Sequence, residues 1–206
     1  GIEKLQKYAS LFGLNERTGI EIEEAAPQIA NEFPVMAAIG QSNNNYTTVQ
    51  LARYVTAVAN EGTVYQYTLL NRLEDSDGNV LQTFEPQVRN QIDVLDTEEW
   101  NAIHSGMRMV VENTKEFDGF PIEAAGKTGT AQQNLKRPNH ALFVGYAPYD
   151  DPEISIATRI AYGYTSHNAA KLARNVFAYY FNVENEDELL NGQAANGNSS
   201  SNEISD

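Results

Sequence analysis

The sequence predicts an α+β fold, an antiparallel sheet with flanking helices. Three observations carry that expectation. Three strand-like runs follow one another over residues 122–162 with short connections, which favours an antiparallel meander. Helical periodicity precedes this block over residues 1–13, 47–62 and from Asp96 onward, and returns over residues 167–181. Apolar residues fill 41% of 206 positions, enough to build a core beneath such a sheet.

The elements follow in chain order. In GIEKLQKYASLFG, residues 1–13, Ile2, Leu5, Ala9 and Phe12 share one helical face, and Gly13 is a natural stop. Residues 14–34 carry turn residues and two prolines and read as an irregular loop. A second helix is expected over residues 47–62, with Leu51, Val55 and Val58 in one stripe, Ala52 and Ala59 beside it, and Gly62 ending it. Residues 63–85 alternate weakly around Asp77-Gly78, a hairpin signal. Asp96 with Glu99 three positions later opens a third helix, whose stripe is Trp100, Ile103, Met107, Val110 and Val111. The strand candidates are IEAAGKTGTAQ, the nearly all-apolar HALFVGYAP at residues 140–148, and EISIATRIAY at residues 153–162. In the last, Ile154, Ile156, Thr158 and Ile160 share a face. The final helix places Leu172, Val176, Phe177 and Tyr180 inward.

Composition narrows the function classes. The net charge of −14 disfavours a phosphate-backbone partner, so no nucleic acid is expected. Residues 183–206 hold six acids and no base within an Asn/Ser/Gly-rich stretch, and are expected to form a disordered acidic tail after a domain of residues 1–182. The chain has no cysteine, no run long enough to span a membrane and no signal-like start. Gly1 has no initiator methionine before it, which suggests a piece of something longer.

The chemistry centres on AAGKTGTAQQ, residues 124–133. A P-loop is excluded by order, because its glycines precede the lysine and a helix follows, whereas here a glycine and strand-like sequence follow Lys127. His104, His140 and His167 are scattered without ligand spacing, so neither a metal nor another cofactor is expected, and His104 reads as a surface or packing residue. Two readings remain. Lys127 can be an ordinary lysine on a strand, or Lys127-Thr128-Gly129 can be the K-T-G element of penicillin-recognising serine acyltransferases. In the second, the lysine offers a charge to a substrate carboxylate, Thr128 and Thr130 add hydroxyl donors, and Gly129 lets a substrate backbone approach. The N–H of Thr130 would aim at a developing oxyanion.

Three passages favour the second. GIEKLQKYASLFGLNERTGIEI, IGQSNNNYTTVQLARYVTAVANEGT, and AAGKTGTAQ followed by HALFVGYAP resemble, in this order, the C-terminal half of the transpeptidase domain of class B penicillin-binding proteins. The resemblance runs from residue 1 to about residue 181, with Thr48 standing where the family often has proline. It implies an incomplete transpeptidase domain of the serine β-lactamase-like fold. It also implies a D,D-transpeptidase that cross-links peptidoglycan stem peptides through an acyl-serine and that β-lactams acylate. Lys127 and Thr130 would then be catalytic, and Thr128 and Gly129 substrate-binding. The whole protein would stand on the outer face of the bacterial cell membrane, anchored upstream of this chain. Its partners would be the N-terminal half of the same domain and a glycosyltransferase.

The nucleophile is missing. No serine satisfies S-x-x-K, and the S-x-N matches at Ser42, Ser166 and Ser200 lie at the wrong place, since the family's motif precedes the passage matching residue 1. The chain alone is therefore expected not to acylate. The rivals are a β-lactam sensor or non-catalytic penicillin-recognising domain, and an α+β binding domain with an accidental K-T-G.

Overall fold

The computed structural model describes residues 1–185 and Leu189, so most of the expected acidic tail lies outside the described residues. Among the described residues, five α-helices and seven strands are arranged along the chain. The helices are α1 (Ile2–Leu11), α2 (Pro34–Ala38), α3 (Thr48–Ala59), α4 (Thr97–Glu112) and α5 (Ser166–Tyr180). A 3₁₀ turn, Lys115–Phe117, follows α4. The strands are β1 (Thr63–Gln66), β2 (Arg72–Glu74), β3 (Val80–Thr83), β4 (Gln87–Gln91), β5 (Ala125–Ala131), β6 (His140–Ala147) and β7 (Ile154–Ile160).

The expected meander is present: β5, β6 and β7 form an antiparallel sheet in sequence order. Its pairing sorts the side chains by face. Gly126, Thr128, Phe143, Thr158 and Ile156 fall on one side, where Phe143, Ala141 and Ala147 pack with Phe177 and the alanines of α5. Ala125, Lys127, Val144 and Tyr146 fall on the other, where Val55 of α3 and Met107 of α4 close over Ala125 and Tyr146. The sheet thus lies between α5 and the α3–α4 layer. A third cluster, Ala57, Val64, Ile92 and Trp100, joins α3 and α4 to the β1–β4 pair.

Local signals explain most boundaries. Gly13 takes φ +75° after α1, and Gly62 takes φ +107° after α3, where an added Cβ would lie 2.7 Å from the Ile92 carbonyl. Reciprocal capping boxes start α3 at Thr47 with Gln50 and α4 at Asp96 with Glu99. The Asp77-Gly78 hairpin is β2–β3, closed by the Asp75 carboxylate, which accepts from the N–H groups of Asp77 and Asn79 at 2.9 and 2.8 Å. β4 was not foreseen; it pairs with β1 and encloses that hairpin.

The inward faces of three helices need correction. On α5, Leu172, Val176 and Tyr180 are exposed, while Ala169, Ala170, Ala173, Phe177 and Ala178 are buried. The reason is distance: Thr158 Oγ1 donates to the Ala169 carbonyl at 3.0 Å, an approach that only small side chains allow. Phe143 and Phe177 fill the remaining volume, each contributing about 1.5–3 kcal/mol by burial. On α4, Trp100 and Val111 are buried but Ile103 is exposed. On α3, Leu51, Ala52 and Ala59 are only half-buried, and the interior instead takes Gln50 and Arg53.

Those two polar residues stitch the loop after α1. Gln50 Nε2 donates to the Glu16 carbonyl at 2.9 Å, and the Arg53 guanidinium donates to the carbonyls of Gly13, Glu16 and Arg17. The buried Glu24 carboxylate in turn accepts from the Thr18 N–H and hydroxyl at 2.8 and 2.9 Å. Burial depresses the Arg53 value, and the Glu16 and Glu24 carboxylates partly oppose that. Irregular backbone is held here because the Gly13, Glu16 and Arg17 carbonyls each have a side-chain donor.

Candidate functional site: the open edge of β5

β5 pairs with β6 alone, so its other edge carries no partner strand among the described residues. Along this strand burial changes abruptly. Ala125 and Gly126 are buried, Lys127 and Thr130 are exposed, and Thr128, Gly129 and Ala131 lie between. The four sequence-predicted residues are therefore brought together on the open part of an edge strand. Lys127 and Gly129 point to the α3–α4 side and Thr128 and Thr130 to the α5 side, as strand alternation requires. Lys127 Nζ donates to the Thr128 carbonyl at 2.8 Å and has no carboxylate partner among the described residues.

The strand's two glycines differ in kind. A Cβ on Gly126 would lie 2.3 Å from Phe143 Cζ and 2.9 Å from the Val144 carbonyl, so the packed sheet requires glycine there. A Cβ on Gly129 would meet only Leu142 Cβ at 3.5 Å, an ordinary contact. Nothing among the described residues requires glycine at 129. Its missing side chain leaves room on the outside, where an extended ligand backbone can lie against the strand.

The three S-x-N serines lie away from the β5 edge or outside the described residues. Ser42 Oγ donates to the Glu32 carbonyl at 2.6 Å, and Asn44 Oδ1 accepts from Ala30 N–H at 2.8 Å, so that S-x-N serves a turn. Ser166 begins α5, and Ser200 lies outside the described residues. Among the histidines, His104 Nε2 donates to the Val58 carbonyl at 2.7 Å between Trp100 and Tyr146, a packing role. His167 Nδ1 pairs with Glu116 at 2.9 Å. His140 is a different case, since it ties the loop after β5; its partners are 7 and 22 positions away, and no local pattern signals them.

The fold and the β5 edge define a penicillin-recognising domain, and comparison bears that out. The sequence model of the family described as the penicillin binding protein transpeptidase domain matches residues 1–178. The chain belongs to that family. It is 32% identical to the peptidoglycan D,D-transpeptidase MrdA of Haemophilus influenzae over 88% of this chain and 33% of that protein. It is 27% identical to penicillin-binding protein 2A of Bacillus subtilis over 94% of this chain and 31% of the relative. The solved structure of penicillin-binding protein 2B from Streptococcus pneumoniae superposes with TM-score 0.77 at 25% identity, over 89% of this chain and 33% of the other. Penicillin-binding protein A of M. tuberculosis, solved as an imipenem acyl-enzyme, shares the fold at TM-score 0.75 and 22% identity, over 87% of this chain and 42% of that one. The chain thus spans about a third of the curated relatives it matches. Among the described residues no helix is long and apolar enough to cross a membrane.

Proposed function

We propose that this chain forms one wall of the acyl-transfer site of a peptidoglycan D,D-transpeptidase, with the nucleophile supplied by residues outside it. The single observation that carries this is Gly129: a glycine that the described fold does not need, on an open strand edge beside an exposed lysine. A stem peptide, or a β-lactam in its place, lies along β5. Its carboxylate meets the Lys127 ammonium on the α3–α4 side, its backbone runs past Gly129, and Thr128 lines the strand's other face. The serine oxygen attacks the substrate carbonyl and gives up its proton to the amide nitrogen. The C–N bond breaks to leave an acyl-serine, and the terminal residue departs as a free amine or, for a β-lactam, the opened amine stays tethered to the acyl group. Thr130 N–H stabilises the oxyanion together with a donor on the missing half. Lys127 also holds the protonation network beside the nucleophile. The whole protein acts at the outer face of the bacterial cell membrane, with a glycosyltransferase as partner, and the transpeptidase portion of this chain spans residues 1–182.

Fluorescent penicillin tests the reading. The complete protein is expected to be labelled covalently and the isolated chain to remain unlabelled. Labelling of the isolated chain would overturn the division of labour. Labelling of the complete protein without cross-linked product would favour a sensor.

A further inference from the structure

The strand after the K-T-G edge begins with a histidine whose hydrogen bonds reach across three segments. His140 is buried and pairs in register with Ala131, the last residue of β5. Its Nδ1 accepts from the Tyr162 N–H at 3.1 Å. The ring proton therefore sits on Nε2, which donates to Gln133 Oε1 at 2.9 Å, just beyond the end of β5. The imidazole stacks on the Tyr162 ring at 4.9 Å between centroids. Arg137, inside the β5–β6 loop, lies 5.2 Å over the same tyrosine and donates to its hydroxyl at 2.7 Å. Tyr162 has φ +55°, a left-handed conformation unusual for an aromatic residue. Next to it, the Tyr164 N–H returns to the Asn139 carbonyl at 3.1 Å. One neutral ring thus joins the exit of β5, the loop at residues 132–139 and the turn into α5. Lys127, four positions before Ala131, stands about 13 Å back along the same strand.

We propose that His140 is a positioning residue for the substrate-facing edge of β5, holding the strand's exit and the β7–α5 turn as one unit only while its imidazole is neutral. This rests on the reading of β5 as the substrate wall. The open edge has no partner strand among the described residues to stiffen it, so its alignment depends on how its exit is tied down. Protonation would place a second N–H against the Tyr162 amide and remove the acceptor. Of the groups around it, the Arg159 charge opposes protonation. Arg159 on β7 and Arg137 in the loop are cationic, Tyr162 is a neutral phenol, and Gln133 and Asn168, which binds the Gly163 carbonyl, are uncharged. Burial first and the Arg159 charge second hold the imidazole below its ordinary 6.5. The tie is complete at neutral pH and is lost as the pH falls through that lowered value.

The test uses the complete protein and the rate of covalent labelling by fluorescent penicillin as a function of pH. In His140→Asn the side-chain oxygen can still accept from Tyr162 and cannot ionise, so labelling should stay near wild type at neutral pH and lose its acid-side fall. His140→Ala should label about tenfold more slowly at neutral pH, with the thermal midpoint recording any loss of fold. Equal rates for His140→Ala and wild type, or an unchanged acid-side fall in His140→Asn, would overturn the proposal. If His140→Ala does not fold, the His140→Asn pH profile decides alone. An unlabelled wild type would instead sink the transpeptidase reading. Amide exchange over residues 132–139 and 161–165 would still read the tie: faster exchange in His140→Ala, restored in His140→Asn, supports it, and no change overturns it.

Discussion

The first two residues of β5 and the four that follow share one ladder with β6 and obey different constraints. Ala125 and Gly126 are buried between Tyr146, Val55 and Phe143, and their sizes are dictated from inside. Lys127 to Thr130 continue the same hydrogen-bonded pairing, yet the interior asks little of their side chains. The same residue type makes the point sharply: glycine at 126 is a packing necessity and at 129 is not. Residues that a fold does not need, gathered on an open edge, are the ones to assign to a ligand.

The contrast can be broken in order of effect. Lys127→Ala in the complete protein should lower the penicillin acylation rate about 10²–10³-fold, as loss of one preorganised charge contact does. Its melting temperature should barely move, because Lys127 is exposed. Stopped-flow labelling and a thermal melt together check this, and a large stability loss would return Lys127 to the packed half. Next, Gly126→Ala should cost about 1–3 kcal/mol of stability by overpacking against Phe143. Denaturant unfolding measures it, and a neutral result would erase the difference between the two glycines. Gly129→Ala should keep the melting temperature and slow acylation about tenfold by displacing the ligand backbone. The smallest effect concerns His140. Its folded-state value is lowered, so the unfolded chain binds the proton more readily. Stability should therefore be fully present above the ordinary 6.5 and decline below it, down through the lowered value. Melts across that range should show a shallower decline in His140→Asn.

Much of this was readable residue by residue where the signal is local. Asp96 and Glu99 announce a capping box, Asp77-Gly78 a hairpin, and the order of glycines around Lys127 removes a phosphate loop. Legibility failed where the deciding contact is remote. Arg53 and Gln50 lie outside the apolar stripe of α3, yet they are buried and their partners are carbonyls 34 to 40 residues earlier. Leu172, Val176 and Tyr180 looked like the buried stripe of α5 because they are the larger apolar residues, and the close helix–sheet contact selected alanines. β4 has five exposed residues and no alternation to betray it.

By itself the sequence determined the four long helices, the three strands of the meander, the K-T-G motif and the absence of an S-x-x-K serine, because each is written in neighbours within a few positions. Tertiary structure alone decided which faces are buried, which of two glycines the packing requires, and that His140 binds the exit of the strand to a turn 22 residues away. Those outcomes depend on distances between segments, and a chain fixes such distances only when its layers close on one another.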